Sequence, residues 1–221
     1  MDPYTEPHLD SSALITIDTQ NDFTLAAGAC PIQGTREVIP NMVTLLQAYR
    51  HHQRPIVHVV RLYPRDGSDA ERCRRQEIAA GLSFVAPDSD GAELVTELKP
   101  EPEVRLDAGQ LLKGELQPIG AGEFILYKPR WGAFYRTRLD SFLRERGVDT
   151  LVFCGCNYPN CPRSSIYQAS ERDYRVVLVS DALSQLYPRG ETEMRNIGVA
   201  LMHTHRLVAE MASSLNPLPE G

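Results

Sequence analysis

Leu151-Val152-Phe153-Cys154-Gly155-Cys156-Asn157-Tyr158-Pro159-Asn160-Cys161-Pro162-Arg163-Ser164-Ser165 is the stretch that decides the fold. Its first four residues form a short apolar run of the kind a buried parallel strand shows. Gly155 permits a sharp bend. Pro162 suits the first position of a helix, where its missing N–H would have had no partner, and a helix can follow over residues 163–174. Cys161 therefore sits at or just before a helix N-terminus, where free N–H groups and the positive end of the helix dipole favour a thiolate. A nucleophilic cysteine belongs in such a place, and so does a plain buried thiol near a cap. On this turn alone the two readings stand level.

Working outward, short β-rich runs alternate with stretches of helical periodicity. Residues 13–17 read as the first strand, ending at Asp18, and residues 35–52 as a helix with Val38, Met42, Leu45, Leu46 and Tyr49 at helical spacing. Strands follow at 56–60, 123–127 and 176–179, with helices at 70–80, 134–146 and 191–202, a short one near 92–98, and an edge strand at 206–209. Arg72, Arg74 and Arg75 read as a solvated face. The signal weakens over residues 81–122, which Pro87, Pro100, Pro102 and Pro118 punctuate. A connection that long reads as a lid or a subunit contact. The alternation implies an α/β fold, a parallel sheet covered on both faces with right-handed crossovers. Residues 1–11 read as a tail or an arm on a partner subunit, residues 12–212 as one domain, and residues 213–221 as a second tail.

The 221 residues are enough for one such domain with a sizeable core. Net charge is −6 and the pI is about 5.5, which argues against nucleic acid and anionic membrane surfaces as partners. No apolar run approaches the roughly 20 residues of a membrane span, and residues 1–6 have neither the basic nor the apolar part of a secretory signal. Five cysteines without a scaffold spacing fit a reducing cytoplasm. No CxxC pair suggests structural zinc.

Ligands of open parallel sheets bind outside the carboxyl ends of the strands. Asp18, Lys128 and Cys161 each follow such an end. Singly they read as caps, surface charges or a packed thiol; together they supply a nucleophile, a proton acceptor and a cation that holds both. Backbone N–H groups of Cys161 and Asn157 are candidates for an oxyanion hole. No histidine is required: His58 lies inside a strand and reads as core, and His203-x-His205 reads as a helix end.

Three ordered motifs carry a resemblance: Ile17-Asp18-Thr19-Gln20-Asn21-Asp22-Phe23, then Tyr127-Lys128-Pro129-Arg130-Trp131-Gly132-Ala133-Phe134, then Gly155-Cys156-Asn157 with Cys161 four residues on. The chain resembles the isochorismatase-like cysteine hydrolase superfamily, which includes nicotinamidases, N-carbamoylsarcosine, ureidoacrylate and biuret amidohydrolases, and true isochorismatases. The resemblance spans roughly residues 13–209. It implies a Rossmann-like three-layer α/β/α sandwich with a six-stranded parallel sheet, an Asp–Lys–Cys triad falling on Asp18, Lys128 and Cys161, and a cis peptide between Cys156 and Asn157. It also implies a small-molecule substrate and a homodimer or homotetramer.

Departures narrow the chemistry. The Asp-x-His metal motif that nicotinamidases share reads Arg61-Leu62-Tyr63 here, so neither metal nor other cofactor is expected. Cys161 argues against isochorismatase-type vinyl-ether cleavage by Asp18 alone. The expectation is C–N hydrolysis of a small amide, ureide or carbamoyl compound through a thioester on Cys161, with a catalytically idle binding protein as the competing reading. Phe23, Trp131, Phe134, Tyr135, Tyr158 and Asn160 are the candidate pocket walls, and Arg130 or Arg163 the candidate partner for a substrate carboxylate.

Overall fold

A computed structural model describes residues 2–214. Their sheet has strands β1 (Ser12–Ile17), β2 (Ile56–Val60), β3 (Gln117–Gly120), β4 (Glu123–Tyr127), β5 (Thr150–Gly155), β6 (Arg175–Leu183) and β7 (Ala200–Met202). The order is β3-β4-β2-β1-β5-β6-β7, and every pairing is parallel except β3 with β4. Six parallel strands thus carry a seventh, antiparallel one at the edge. Its Pro118 has no N–H to give a ladder, so an edge is where this strand fits, and the same proline hid it in the sequence.

Helices cover both faces. α2 (Thr35–His51) and α8 (Thr204–Ser214) pack on one side; α5 (Leu139–Arg144), α6 (Cys161–Ser170) and α7 (Pro188–Asn196) pack on the other. Side chains alternate across a strand, so Leu14, Val152 and Cys154 join the first core while Ile15, Ile17, Leu151 and Phe153 join the second. Burial on both faces is why β1 and β5 read as unbroken apolar runs. The connection leaves β1 toward β2 on one side while β5 pairs on the other. This is a topological switch point, where a crevice opens at the carboxyl edge.

Several expected elements move. The helix expected at 134–146 starts only at Leu139, after Arg136 takes a left-handed φ of 54°. The one expected at 191–202 stops at Asn196. Gly198, at φ 80°, turns the chain into β7, and Thr204 donates its N–H and hydroxyl to Asp181, opening α8 where an edge strand was expected. Leu207 and Met211, one helical turn apart, reach the α2 core.

The segment 81–122 is built into the fold. It holds two short 3-10 turns (Asp90–Ala92 and Thr96–Leu98), α4 (Ala108–Leu112) and β3. Val95, Leu98 and Leu111 are fully buried, and a buried Glu93–Lys99 pair at 2.9 Å staples it. The N-terminal residues dock on their own chain: Leu9 is buried and the His8 N–H donates to Thr150 Oγ1 at 3.0 Å. Of the expected C-terminal tail, residues 215–221 lie outside the described residues. No helix among the described residues is long and apolar enough to cross a membrane.

Candidate active site

Three strand ends converge on one buried contact chain. After β1, Asp18 adopts a left-handed φ of 50° while its N–H stays bonded to Val59 O of β2. After β4, the Lys128 N–H bonds Val60 O in the same way. After β5, Gly155 at φ 118° turns the chain, and Cys161 opens α6 with Pro162 behind it. Lys128 Nζ lies 2.9 Å from Asp18 Oδ2 and donates to Cys161 Sγ at 3.3 Å. All three side chains are buried.

The expected cis peptide at Cys156–Asn157 is corrected: no cis bond occurs among the described residues. The chain turns at Gly155, whose φ of 118° is open to glycine. A Cβ on Gly155 would meet Ile17 O at 2.3 Å, so β1 and β5 approach closely only because that residue is glycine. The Cys156 N–H then bonds Ile17 O and the Tyr158 N–H bonds Ser184 O. The N–H groups of Asn157 and Cys161 make no backbone hydrogen bond among the described residues.

The electrostatics set the resting protonation. Burial pushes the Cys161 thiol well above its ordinary value; the Asp18 carboxylate pushes the same way and Lys128 opposes them. Burial and Asp18 thus favour the thiol over the thiolate that the helix end alone suggests, against the pull of Lys128. Burial works to lower Lys128, but the charge and hydrogen bond of Asp18 outweigh it and the ammonium is held above its usual range. Asp18 Oδ1 is buried without a hydrogen-bond partner. A bare carboxylate oxygen beside a thiol is placed to receive its proton.

A cavity of about 40 Å³ opens onto these groups. Phe23, Trp131 and Asn160, three of the expected walls, line it, and so do Cys156 and Asn157. Three other expected wall residues do not. Phe134 is packed in the core against Tyr174, Tyr135 is exposed, and Tyr158 is buried with its hydroxyl donating to Gly190 O at 3.0 Å. Arg130 is paired with Asp69 and Arg163 with Glu193, so neither candidate carboxylate partner is free.

Sequence reasoning missed the opposite wall, made by Arg61, Tyr63, Glu71, Arg74 and Phe84. Arg61 is nearly fully buried, bonding Glu71 at 3.2 Å and the hydroxyl of Tyr127 at 2.9 Å. Tyr63 donates to Glu71 at 2.8 Å. A buried arginine directly after a strand was the available signal, since arginine is seldom buried unpaired. Where the metal motif of nicotinamidases would stand, there is a fixed guanidinium, which repels a second cation. No group of three or more His, Cys, Asp or Glu among the described residues is arranged to hold a metal ion.

Two further contacts hold the site together. Gln20 spans the loops after β1 and β2, donating to Arg61 O and Ala92 O and accepting from the Arg61 N–H. The Lys128 loop is tied to α6, with the Ala133 N–H on Ser165 Oγ at 3.0 Å and the Phe134 N–H on Gln168 Oε1 at 3.0 Å. Lysine and cysteine are thus carried on one connected frame.

Comparison with known proteins places this architecture. The isochorismatase domain family matches residues 12–107 and 104–204. A protein of Arabidopsis thaliana described as a probable inactive nicotinamidase is 30% identical over 208 residues, covering 91% of this chain and 97% of that one. A ureidoacrylate amidohydrolase of Methylobacterium radiotolerans is 28% identical over 193 residues, covering 79% and 67%. The solved structure of an isochorismatase family protein from Desulfovibrio vulgaris superposes with a TM-score of 0.77 at 34% identity, covering 91% and 98%. With the fold, the three strand-end motifs and these matches in agreement, the chain belongs to the isochorismatase family of hydrolases.

Proposed function

We propose that the protein is a cysteine amidohydrolase that cleaves a C–N bond of a small amide, ureide or carbamoyl compound through a thioester on Cys161. The observation that carries this reading is the contact chain from Asp18 through Lys128 to Cys161 at the floor of a small cavity. As the sulfur attacks the substrate carbonyl carbon, its proton passes to Asp18, so the thiolate need not exist at rest. Lys128 stays charged and steadies both partners. The free N–H groups of Asn157 and Cys161 receive the developing oxyanion. The tetrahedral adduct collapses, the C–N bond breaks, and the leaving nitrogen takes the proton from Asp18. Water, giving a proton to Asp18 as it attacks, then cleaves the C–S bond; the acid product leaves and Asp18 returns the proton to the Cys161 sulfur. The description of the Methylobacterium relative as a ureidoacrylate amidohydrolase is compatible with this class.

A second reading, a family member without activity, draws on the description of the Arabidopsis relative as a probable inactive nicotinamidase. The Arg61–Glu71 pair suits a chain that does not handle nicotinamide by a metal route, which leaves other amides open. One experiment separates the readings. Ammonia release is measured over a panel of small amides, ureides and carbamoyl amino acids, with Cys161→Ala as control and circular dichroism to verify its fold. Turnover that disappears in the variant supports the amidohydrolase. Turnover that survives points to acid chemistry at Asp18, and none across the panel favours the idle reading.

A further inference from the structure

The cavity wall contains three cations, and two are already matched within it. Lys128 faces Asp18 at 2.9 Å and Arg61 faces Glu71 at 3.2 Å. The third, Arg74 of α3 (Arg72–Ala79), has no carboxylate partner in the wall. Its ion pair is with Glu77 on the same helix, at 3.7 Å, with the Arg74 side chain 30% and the Glu77 side chain 55% exposed. Surface pairs of this kind contribute little. Its side chain makes no hydrogen bond among the described residues, yet its place is fixed: the guanidinium carbon lies 5.7 Å from the ring of Phe84 and 5.7 Å from the ring of Trp131. Two aromatic faces at that range hold a cation without using its N–H donors. The result is a positioned, partly buried fork of donors at the cavity wall, with nothing in the wall to receive it.

From this we infer that the substrate carries a carboxylate and that Arg74 binds it. This rests on the amidohydrolase reading above and gives it a substrate class: a small amide or ureide bearing an acid group, whose C–N bond reaches Cys161 while its carboxylate meets Arg74. A guanidinium matches a carboxylate with two parallel hydrogen bonds, and the partly desolvated wall strengthens them. Arg74 then selects acids over neutral analogues of equal size, because a neutral analogue gains no such bonds.

The test uses pairs that differ only by carboxylate against methyl: succinamate with butyramide, and N-carbamoylglycine with ethylurea. The ratio of kcat/KM within each pair is the readout. The wild type favours the acid by about tenfold or more. Arg74→Gln lowers that ratio about tenfold, mainly through KM, Arg74→Lys retains part of it, and the exposed neighbour variant Arg72→Gln leaves it as in the wild type. Calorimetric titration of the same four compounds into Cys161→Ala, with and without Arg74→Gln, reads the preference without turnover. Binding of the acids that depends on Arg74, with no ammonia released by the wild type, upholds the Arg74 assignment and sinks the amidohydrolase reading. No preference for the acid in either assay, or one that Arg74→Gln does not reduce, overturns the assignment.

Discussion

Gly155 and Cys161 show how much a single residue decides here. Gly155 combines a φ of 118° with a backbone oxygen 2.3 Å from where a Cβ would stand. Gly155→Ala must therefore either strain that conformation or push β5 from β1. The expected loss is above about 2 kcal/mol, checked by urea unfolding, and a change under about 0.5 kcal/mol would contradict it. At Cys161 the raised thiol gives a pH signature. Neutral thiol dominates at neutral pH, so iodoacetamide reacts slowly there, and the rate at Cys161 climbs with pH past about 9 without levelling. Site-resolved mass spectrometry over a pH series reads it, and a plateau by about pH 8 would contradict the electrostatic account. Slow alkylation at neutral pH is therefore no sign of an idle protein. The three triad candidates were legible because Asp18 and Lys128 directly follow strand runs in the sequence and Cys161 opens the helix after a third. The thiol's protonation was not, since it depends on burial and on a carboxylate more than a hundred residues distant in the chain.

At the scale of elements, a buried polar line crosses the sheet. Thr16 of β1 bonds His58 Nδ1 at 2.8 Å, His58 Nε2 meets Glu123 Oε1 at 2.7 Å, and Arg50 of α2 clamps Glu123 with two bonds of 2.8 and 2.7 Å. It ties β1, β2, β4 and α2 in one register. Burial works to raise the Glu123 carboxyl, but the hydrogen bonds from Arg50 and His58 win and hold it at about 2. Its stabilisation is present above the ordinary carboxylate value of 4.5 and is lost as pH falls through about 2. The full amount is on the order of 3 kcal/mol. Glu123→Gln should lose most of it at neutral pH and flatten the acid limb between those values. Urea unfolding at about pH 7 and pH 3 measures this, and an acid limb as steep as the wild type's would contradict it. His58 read as core from its place in an apolar strand, and it is core, but its partners could not be seen from sequence. Elements with strong apolar periodicity, such as β2, β4 and α2, were readable almost to the residue. α8 was not, because its opening at Thr204 depends on Asp181 across the sheet.

For the whole molecule, the switch point of the sheet gathers Asp18, Lys128 and Cys161 from strand ends that span most of the chain. The segment 81–122, weakly patterned and proline-rich, supplies Phe84 to the cavity and the edge strand to the sheet. Its burial comes from contacts with Gln20 in the loop after β1, α1 (Asn21–Thr24) and α2, not from its own periodicity, which is why sequence suggested a lid or a subunit contact instead. The arginine-bearing wall was missed for the same reason: on a helix wheel Arg74 looks solvated, and only the fold brings Trp131 and Phe84 beside it. The claim everything turns on is the covalent step at Cys161. Its most direct test is rapid quench of the protein with an amide from the panel that it turns over, followed by intact mass and peptide mapping. The account predicts a transient mass increase equal to the acyl group, located on Cys161 and absent in Cys161→Ala. Ammonia release at the wild-type rate by Cys161→Ala, or an acyl group carried on another residue, would contradict it.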